Sequence, residues 1–113
     1  MESIKIYNSD LERYEWRNIQ GQFHREGGPA VEYEYDNGDK YWFRNGFLHR
    51  EDGPAIEYAN GDKSWFLNDR RHREDGPAIE YVNGDKYWYY YGEYIPCNSQ
   101  QKFEKLIKLQ AFR

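Results

Sequence analysis

Three histidine–glutamate pairs are the first groups in this 113-residue chain whose types and spacing could do chemistry. They sit in the heptapeptides His24-Arg25-Glu26-Gly27-Gly28-Pro29-Ala30, His49-Arg50-Glu51-Asp52-Gly53-Pro54-Ala55 and His72-Arg73-Glu74-Asp75-Gly76-Pro77-Ala78. In an extended segment, residues two apart share a face, and a histidine beside a carboxylate is a zinc-ligand pair. One pair supplies only two ligands, and successive pairs lie one hairpin apart. That is ~10 Å at ~4.8 Å per strand spacing, whereas the ligands of one ion stand ~2 Å from it. A structural reading is favoured. Each imidazole fixes a turn by hydrogen bonding to a neighbouring carboxylate or carbonyl, and each arginine pairs with a glutamate of its own or the next unit. His24, His49, His72, Arg50 and Arg73 are therefore expected to be structural repeat positions, with no metal and no cofactor.

The arginines Arg25, Arg50 and Arg73 also form a ladder at one-unit spacing, beside the rings Tyr41, Phe43, Phe66, Tyr87 and Tyr89. Guanidiniums with stacked rings are a way to hold a nucleotide or single-stranded nucleic acid. An adjacent glutamate cancels each arginine's field, which argues against that use. Catalysis needs one group tuned apart from its neighbours, and here the polar residues recur in near-identical settings. Cys97, the single cysteine, has no activating neighbour in the sequence. Gly27-Gly28 precedes a proline and a strand, so it is no phosphate-cradling loop. The expectation is a protein that is not an enzyme.

The elements that would position these groups come from an internal repeat. Each heptapeptide is followed by Asn-Gly-Asp-Lys (Asn37–Lys40, Asn60–Lys63, Asn83–Lys86) and then by Trp42, Trp65 or Trp88. Gly38, Gly61 and Gly84 recur every 23 residues, and the first copy carries two extra residues between Ala30 and Asn37. Asn-Gly between alternating runs is a strong hairpin signal, since a type I′ turn needs positive φ at both central residues. With Asn60-Gly61 as a two-residue loop, Ile56 faces Trp65, Tyr58 faces Lys63 and Ala55 faces Phe66. In copy three Ile79 faces Trp88. In copy one Tyr33 faces Trp42 and Val31 faces Arg44, the even insertion preserving parity. A one-residue slip would turn every side chain over.

The chain reads as one domain. Residues 1–23 hold a starting strand around Ile4 and Ile6 and a degenerate half repeat carrying Trp16. Residues 24–95 hold the three hairpin repeats. After Pro96, residues 98–113 read as an amphipathic helix over Ser99–Ala111, with Asn98 and Ser99 as cap candidates and Phe103, Leu106, Ile107 and Gln110 at helical spacing. The expected fold is all-β: an open antiparallel meander of ~7–9 strands, two per hairpin unit plus the ends, with a C-terminal capping helix. Composition agrees, since aromatics make up 19% of the chain and disordered chains lack them.

Net charge is −4, and it is split. Residues 98–113 hold four cations and one acid, while the first 97 residues hold 12 cations and 19 acids. An acidic body suits a basic partner better than a nucleic acid. No apolar stretch approaches a membrane span, and the first ten residues have no signal-peptide core. One cysteine excludes an internal disulfide framework. A cytoplasmic protein without membrane contact is expected.

The stretch Asn68-Asp69-Arg70-Arg71-His72 through Asn83-Gly84-Asp85-Lys86-Tyr87-Trp88 resembles a MORN repeat, and the resemblance covers roughly residues 16–93. The family's glycine-rich steps after its Arg-His pair are replaced here by Arg-Glu-Asp-Gly-Pro-Ala, a variant similar to repeats of small phage and bacterial proteins. The resemblance implies an elongated meander used for protein contacts and often for dimerisation. A non-catalytic protein-binding module is thus expected, with Tyr41, Trp42, Phe43, Trp65, Phe66, Tyr87, Trp88 and Tyr89 as contact residues, because interfaces enrich exposed Tyr and Trp. Its sharper form is a small phage-encoded inhibitor that occludes a host defence protein in the host cytoplasm. The alternatives are nucleotide or nucleic-acid binding through the arginine and ring ladder, and a structural homo-oligomer such as a homodimer.

Overall fold

Each unit is bent at both ends, by two different turns, and the difference decides the fold. In the computed structural model, which describes residues 2–35 and 38–110, the strands are β1 (Ile4–Asn8), β2 (Arg13–Arg17), β3 (Val31–Tyr33), β4 (Lys40–Tyr41), β5 (Phe43–Arg44), β6 (Phe47–Leu48), β7 (Ile56–Glu57), β8 (Lys63–Ser64), β9 (Phe66–Leu67), β10 (Arg70–Arg71), β11 (Ile79–Glu80), β12 (Lys86–Tyr90) and β13 (Glu93–Ile95), followed by the helix α1 (Gln100–Gln110). Nine of them form one open antiparallel sheet in the order β1-β2-β3-β4-β7-β8-β11-β12-β13. The pairs β5–β6 and β9–β10 are separate two-stranded ladders beyond the tryptophans Trp42 and Trp65. The described residues span 47 × 31 × 19 Å, so the units stack along one axis. The all-β meander with a C-terminal helix is what the repeat pattern predicts.

The register differs from the sequence expectation by one residue in the second and third units and by three in the first. The Asn-Gly bend is a three-residue loop: Gly61 N–H donates to Tyr58 O (2.9 Å) and Tyr58 N–H to Asp62 O (3.0 Å). Only Gly61 and Gly84 take positive φ (98° and 99°); Asn60 and Asn83 do not. Each asparagine Oδ1 instead accepts the N–H two residues on, Asp62 or Asp85, both at 2.9 Å. This is the side-chain turn that asparagine favours, and it selects a turn-plus-bulge hairpin over the two-residue one. The extra loop residue puts Ile56 opposite Ser64 and Ile79 opposite Tyr87. In the first unit, where Tyr33 N–H donates to Asp39 O, Val31 stands opposite Tyr41. The expected pairings Ile56–Trp65, Ile79–Trp88, Tyr33–Trp42 and Val31–Arg44 are overturned, and the tryptophans move to the other face.

Two rows now cross the sheet. Val31, Tyr41, Ile56, Ser64, Ile79 and Tyr87 are successive cross-strand partners on one face. Glu32, Lys40, Glu57, Lys63, Glu80 and Lys86 run beside them on the other, alternating in sign at every step. Opposite charges facing across strands stabilise the pairing, while like charges would oppose it. Ala30, Ala55 and Ala78 are fully buried. The C-terminal half-core holds Trp88, Ile95 and Phe103, with Leu106 and Ile107 packed against them. Ser99 starts α1, as expected: its Oγ accepts Lys102 N–H (3.2 Å) and its carbonyl accepts Phe103 N–H (3.0 Å). The predicted end of the helix at Ala111 lies outside the described residues.

Candidate functional site

A second set of bends lies at the opposite end of the strands, and the histidines hold it. Asn45-Gly46 (φ 51° and 84°), Asn68-Asp69 (47° and 67°) and Tyr91-Gly92 (45° and 85°) each place two positive φ angles in succession. That is the two-residue hairpin turn expected elsewhere in the repeat. His24 Nδ1 accepts Asn45 N–H (2.9 Å), His49 Nδ1 accepts Asn68 N–H (3.0 Å) and His72 Nδ1 accepts Tyr91 N–H (2.8 Å). The carbonyls just before these histidines take the next N–H: Gly46 to Phe23, Asp69 to Leu48 and Gly92 to Arg71. Each histidine thus clasps the turn of the following unit. At the other end Asp39 and Asp62 do likewise, their Oδ1 atoms accepting Ala59 N–H (2.7 Å) and Val82 N–H (2.9 Å). The imidazoles bind backbone donors, a different partner from the carboxylate or carbonyl expected.

The rest of the heptapeptide seats an arginine on a tryptophan. Arg50 Cζ lies 4.0 Å from the Trp42 ring centroid, Arg73 Cζ 3.9 Å from Trp65 and Arg25 Cζ 4.0 Å from Trp16. Arg50 donates from Nε to Asp52 (3.0 Å) and from Nη1 to Pro54 O (3.1 Å) and Glu57 (2.8 Å). Arg73 repeats this with Asp75, Pro77 O and Glu80. The glycine completes the fit, since a Cβ at Gly53 or Gly76 would stand 2.9 or 2.7 Å from the guanidinium carbon. The arginine–glutamate pairing lies within one unit. The arginines of the ladder that could hold a nucleotide are thus engaged within the protein, stacked on indoles and not on the Tyr and Phe rings expected beside them. In the last unit Trp88 has a different partner: its Nε1 donates to Gln100 Oε1 (2.8 Å), and Gln100 donates to Glu74 O (2.8 Å).

His24, His49 and His72 are buried, and their Nε2 atoms stand 3.9, 3.7 and 3.5 Å from Glu26, Glu51 and Glu74. Among the described residues no three His, Cys, Asp or Glu side chains gather as a metal site. Burial pushes the Cys97 thiol up, away from the reactive thiolate. No helix of the described residues is long and apolar enough to cross a membrane.

The clasp makes stability depend on pH. Because Nδ1 accepts an N–H, the neutral ring carries its proton on Nε2, and an imidazolium would place a proton against the donor. Burial, with the nearby Arg44 cation, holds His49 below its ordinary 6.5. The unfolded chain takes up that proton near 6.5 while the folded chain resists it. The His49 contribution is therefore complete above 6.5 and is lost as pH falls below it. Urea midpoints should drop between pH 7.5 and 5.5, with a shallower slope for His49→Gln. A midpoint that rises on acidification across that interval would contradict the clasp.

The residues expected to bind a partner are divided by the corrected register. Trp42 and Trp65 lie half-buried beneath arginines, and Phe66 and Trp88 are in the core. Tyr41 and Tyr87 stand on the opposite face, with Phe43 half-buried in β5 and Tyr89 half-buried farther along β12. That face carries a row of tyrosines that includes positions not anticipated: Tyr33, Tyr58, Tyr81 and Tyr94. Ring centroids stand 6.4 Å apart for Tyr33–Tyr41, 6.3 Å for Tyr41–Tyr58, 5.9 Å for Tyr81–Tyr87 and 6.3 Å for Tyr87–Tyr94. Tyr58, Tyr81, Tyr87 and Tyr94 are exposed. Burial, with Asp39 nearby, pushes the Tyr41 hydroxyl up to about 12, so it stays a neutral donor. The recurrence of Glu-Tyr before each Asn-Gly-Asp loop was the signal for Tyr58 and Tyr81.

Comparison with known proteins found no matching family model, no similar curated protein and no similar solved structure.

Proposed function

We propose that this chain is a non-catalytic module that binds another protein through the tyrosine face of its sheet. The exposed row Tyr58, Tyr81, Tyr87 and Tyr94 carries the reading. Tyrosines present a large rigid ring and a hydrogen-bonding tip, the combination that interfaces enrich. The polar residues of the heptapeptides are spent on turns and on stacking, while the rings of this face stay exposed side by side. A preponderance of acids over the first 97 residues favours a basic partner and sets orientation on approach. The likeness to MORN repeats supports the same use. Its phage-type variant suggests a host defence protein as the partner and occlusion as the mode of action.

Capture from host lysate on the immobilised chain is the test. A partner retained by the wild type and by Lys108→Ala, on the exposed side of α1, should be lost with Tyr81→Ala or Tyr87→Ala while both variants stay folded. Retention of the same partner by the tyrosine variants would remove the face from the reading. A mass that doubles with concentration, with no foreign protein held, would favour a self-associating repeat instead.

A further inference from the structure

Two departures from the repeat line one cleft. Lys-Tyr-Trp in the first and third units (Lys40-Tyr41-Trp42, Lys86-Tyr87-Trp88) becomes Lys63-Ser64-Trp65 in the second. The residue before the histidine is Phe23 and Leu48 in the earlier copies and Arg71 here. Between Tyr58 and Tyr81, where the row of rings lacks a member, the structure has a cleft of about 370 Å³ lined by Tyr58, Ser64, Arg71, Ile79 and Tyr81. Ser64 at its base is 3% exposed, and its Oγ has no hydrogen-bond partner among the described residues. The Arg71 guanidinium lies 5.2 and 5.6 Å from the rings of Phe66 and Tyr89, and no carboxylate among the described residues pairs with it. A buried hydroxyl without a partner is costly and calls for an explanation.

We infer that this cleft is a socket for a tyrosine side chain of the partner polypeptide. The flanking units show what fits. At the matching position each places a phenol ring between two tyrosines, Tyr41 between Tyr33 and Tyr58 and Tyr87 between Tyr81 and Tyr94. An incoming ring restores the row, offset and tilted against its neighbours as aromatic pairs prefer. Ser64 and Arg71 supply hydrogen-bond donors for its oxygen. This rests on the protein-binding reading and gives it an anchor, since interfaces concentrate their affinity in a few aromatic residues seated in pockets.

The test is a titration of the full chain with N-acetyl-L-tyrosinamide, followed by amide chemical shifts. Saturable shifts confined to Ser64, Ile79, Tyr81 and their neighbours are expected. Ser64→Tyr, which copies the neighbouring units and should fold, fills the socket and weakens binding about tenfold or more. N-acetyl-L-phenylalaninamide should bind about fivefold more weakly than the phenol, for want of one hydrogen bond, and Arg71→Leu should reduce that preference. No shifts, scattered shifts, shifts that survive Ser64→Tyr, or a Ser64→Tyr chain that fails to fold would each overturn the socket. Partner capture that persists in Ser64→Tyr would also overturn it while leaving the protein-binding reading intact. Ring binding by a chain that captures no protein would sink the wider reading instead.

Discussion

His49→Ala should lower folding stability by about 2–4 kcal/mol, a large fraction of what a domain of this size has. Two losses combine. The imidazole is buried, so its removal leaves a void between units. The Asn68 N–H also loses the acceptor that holds it in a positive-φ turn. An orphaned, partly buried donor costs about 1–3 kcal/mol by itself. His49→Phe separates the two, because it keeps a ring of similar size and removes the acceptor. Urea denaturation should place His49→Phe between the wild type and His49→Ala. If both variants fall within about 0.5 kcal/mol of the wild type, as surface substitutions do, the clasp contributes nothing and the account of the heptapeptide fails.

Phe103→Ala is expected to cost more, about 3–5 kcal/mol, the range for truncating a buried phenylalanine. Phe103 is fully buried, the largest such side chain described, and it joins α1 to Trp88 and Ile95. Its loss should loosen the helix and with it Gln100, which holds both Trp88 Nε1 and the Glu74 carbonyl. Helical circular dichroism should fall, and Trp88 fluorescence should shift to the red as water reaches the ring. A variant with unchanged helix signal and midpoint would show that α1 is held by other contacts.

Much of the architecture was legible in residue spacing, and the errors have identifiable causes. The 23-residue recurrence of glycine and the closing helix follow from patterning that does not depend on fine geometry. The register did not, because Asn-Gly suits two loops that differ by one residue. What separates them is the Asn60 side chain capping the Asp62 N–H, a contact invisible in a dipeptide. The tighter bends were hidden for the opposite reason. Asn45-Gly46 shows the familiar pair, while Asn68-Asp69 and Tyr91-Gly92 do not, so the shared backbone is masked by unlike side chains. The arginine–tryptophan stacks were foreshadowed by a constant interval, eight residues from Trp42 to Arg50 and from Trp65 to Arg73. An interval names no partner until register assigns the face. Ser64 and Arg71 stood out as exceptions within a regular series, yet only the folded chain shows that they line one cleft.

The histidine clasp gives the stack a polarity. Every unit reaches forward to grip its successor, so the array behaves like a zipper whose teeth engage in one direction. Its far end needs a stop, and Gln100 supplies one by binding the indole N–H of the tryptophan that a further arginine would otherwise have capped. Lengthening such a protein would then mean adding a link ahead of that stop, with no redesign of the links already joined.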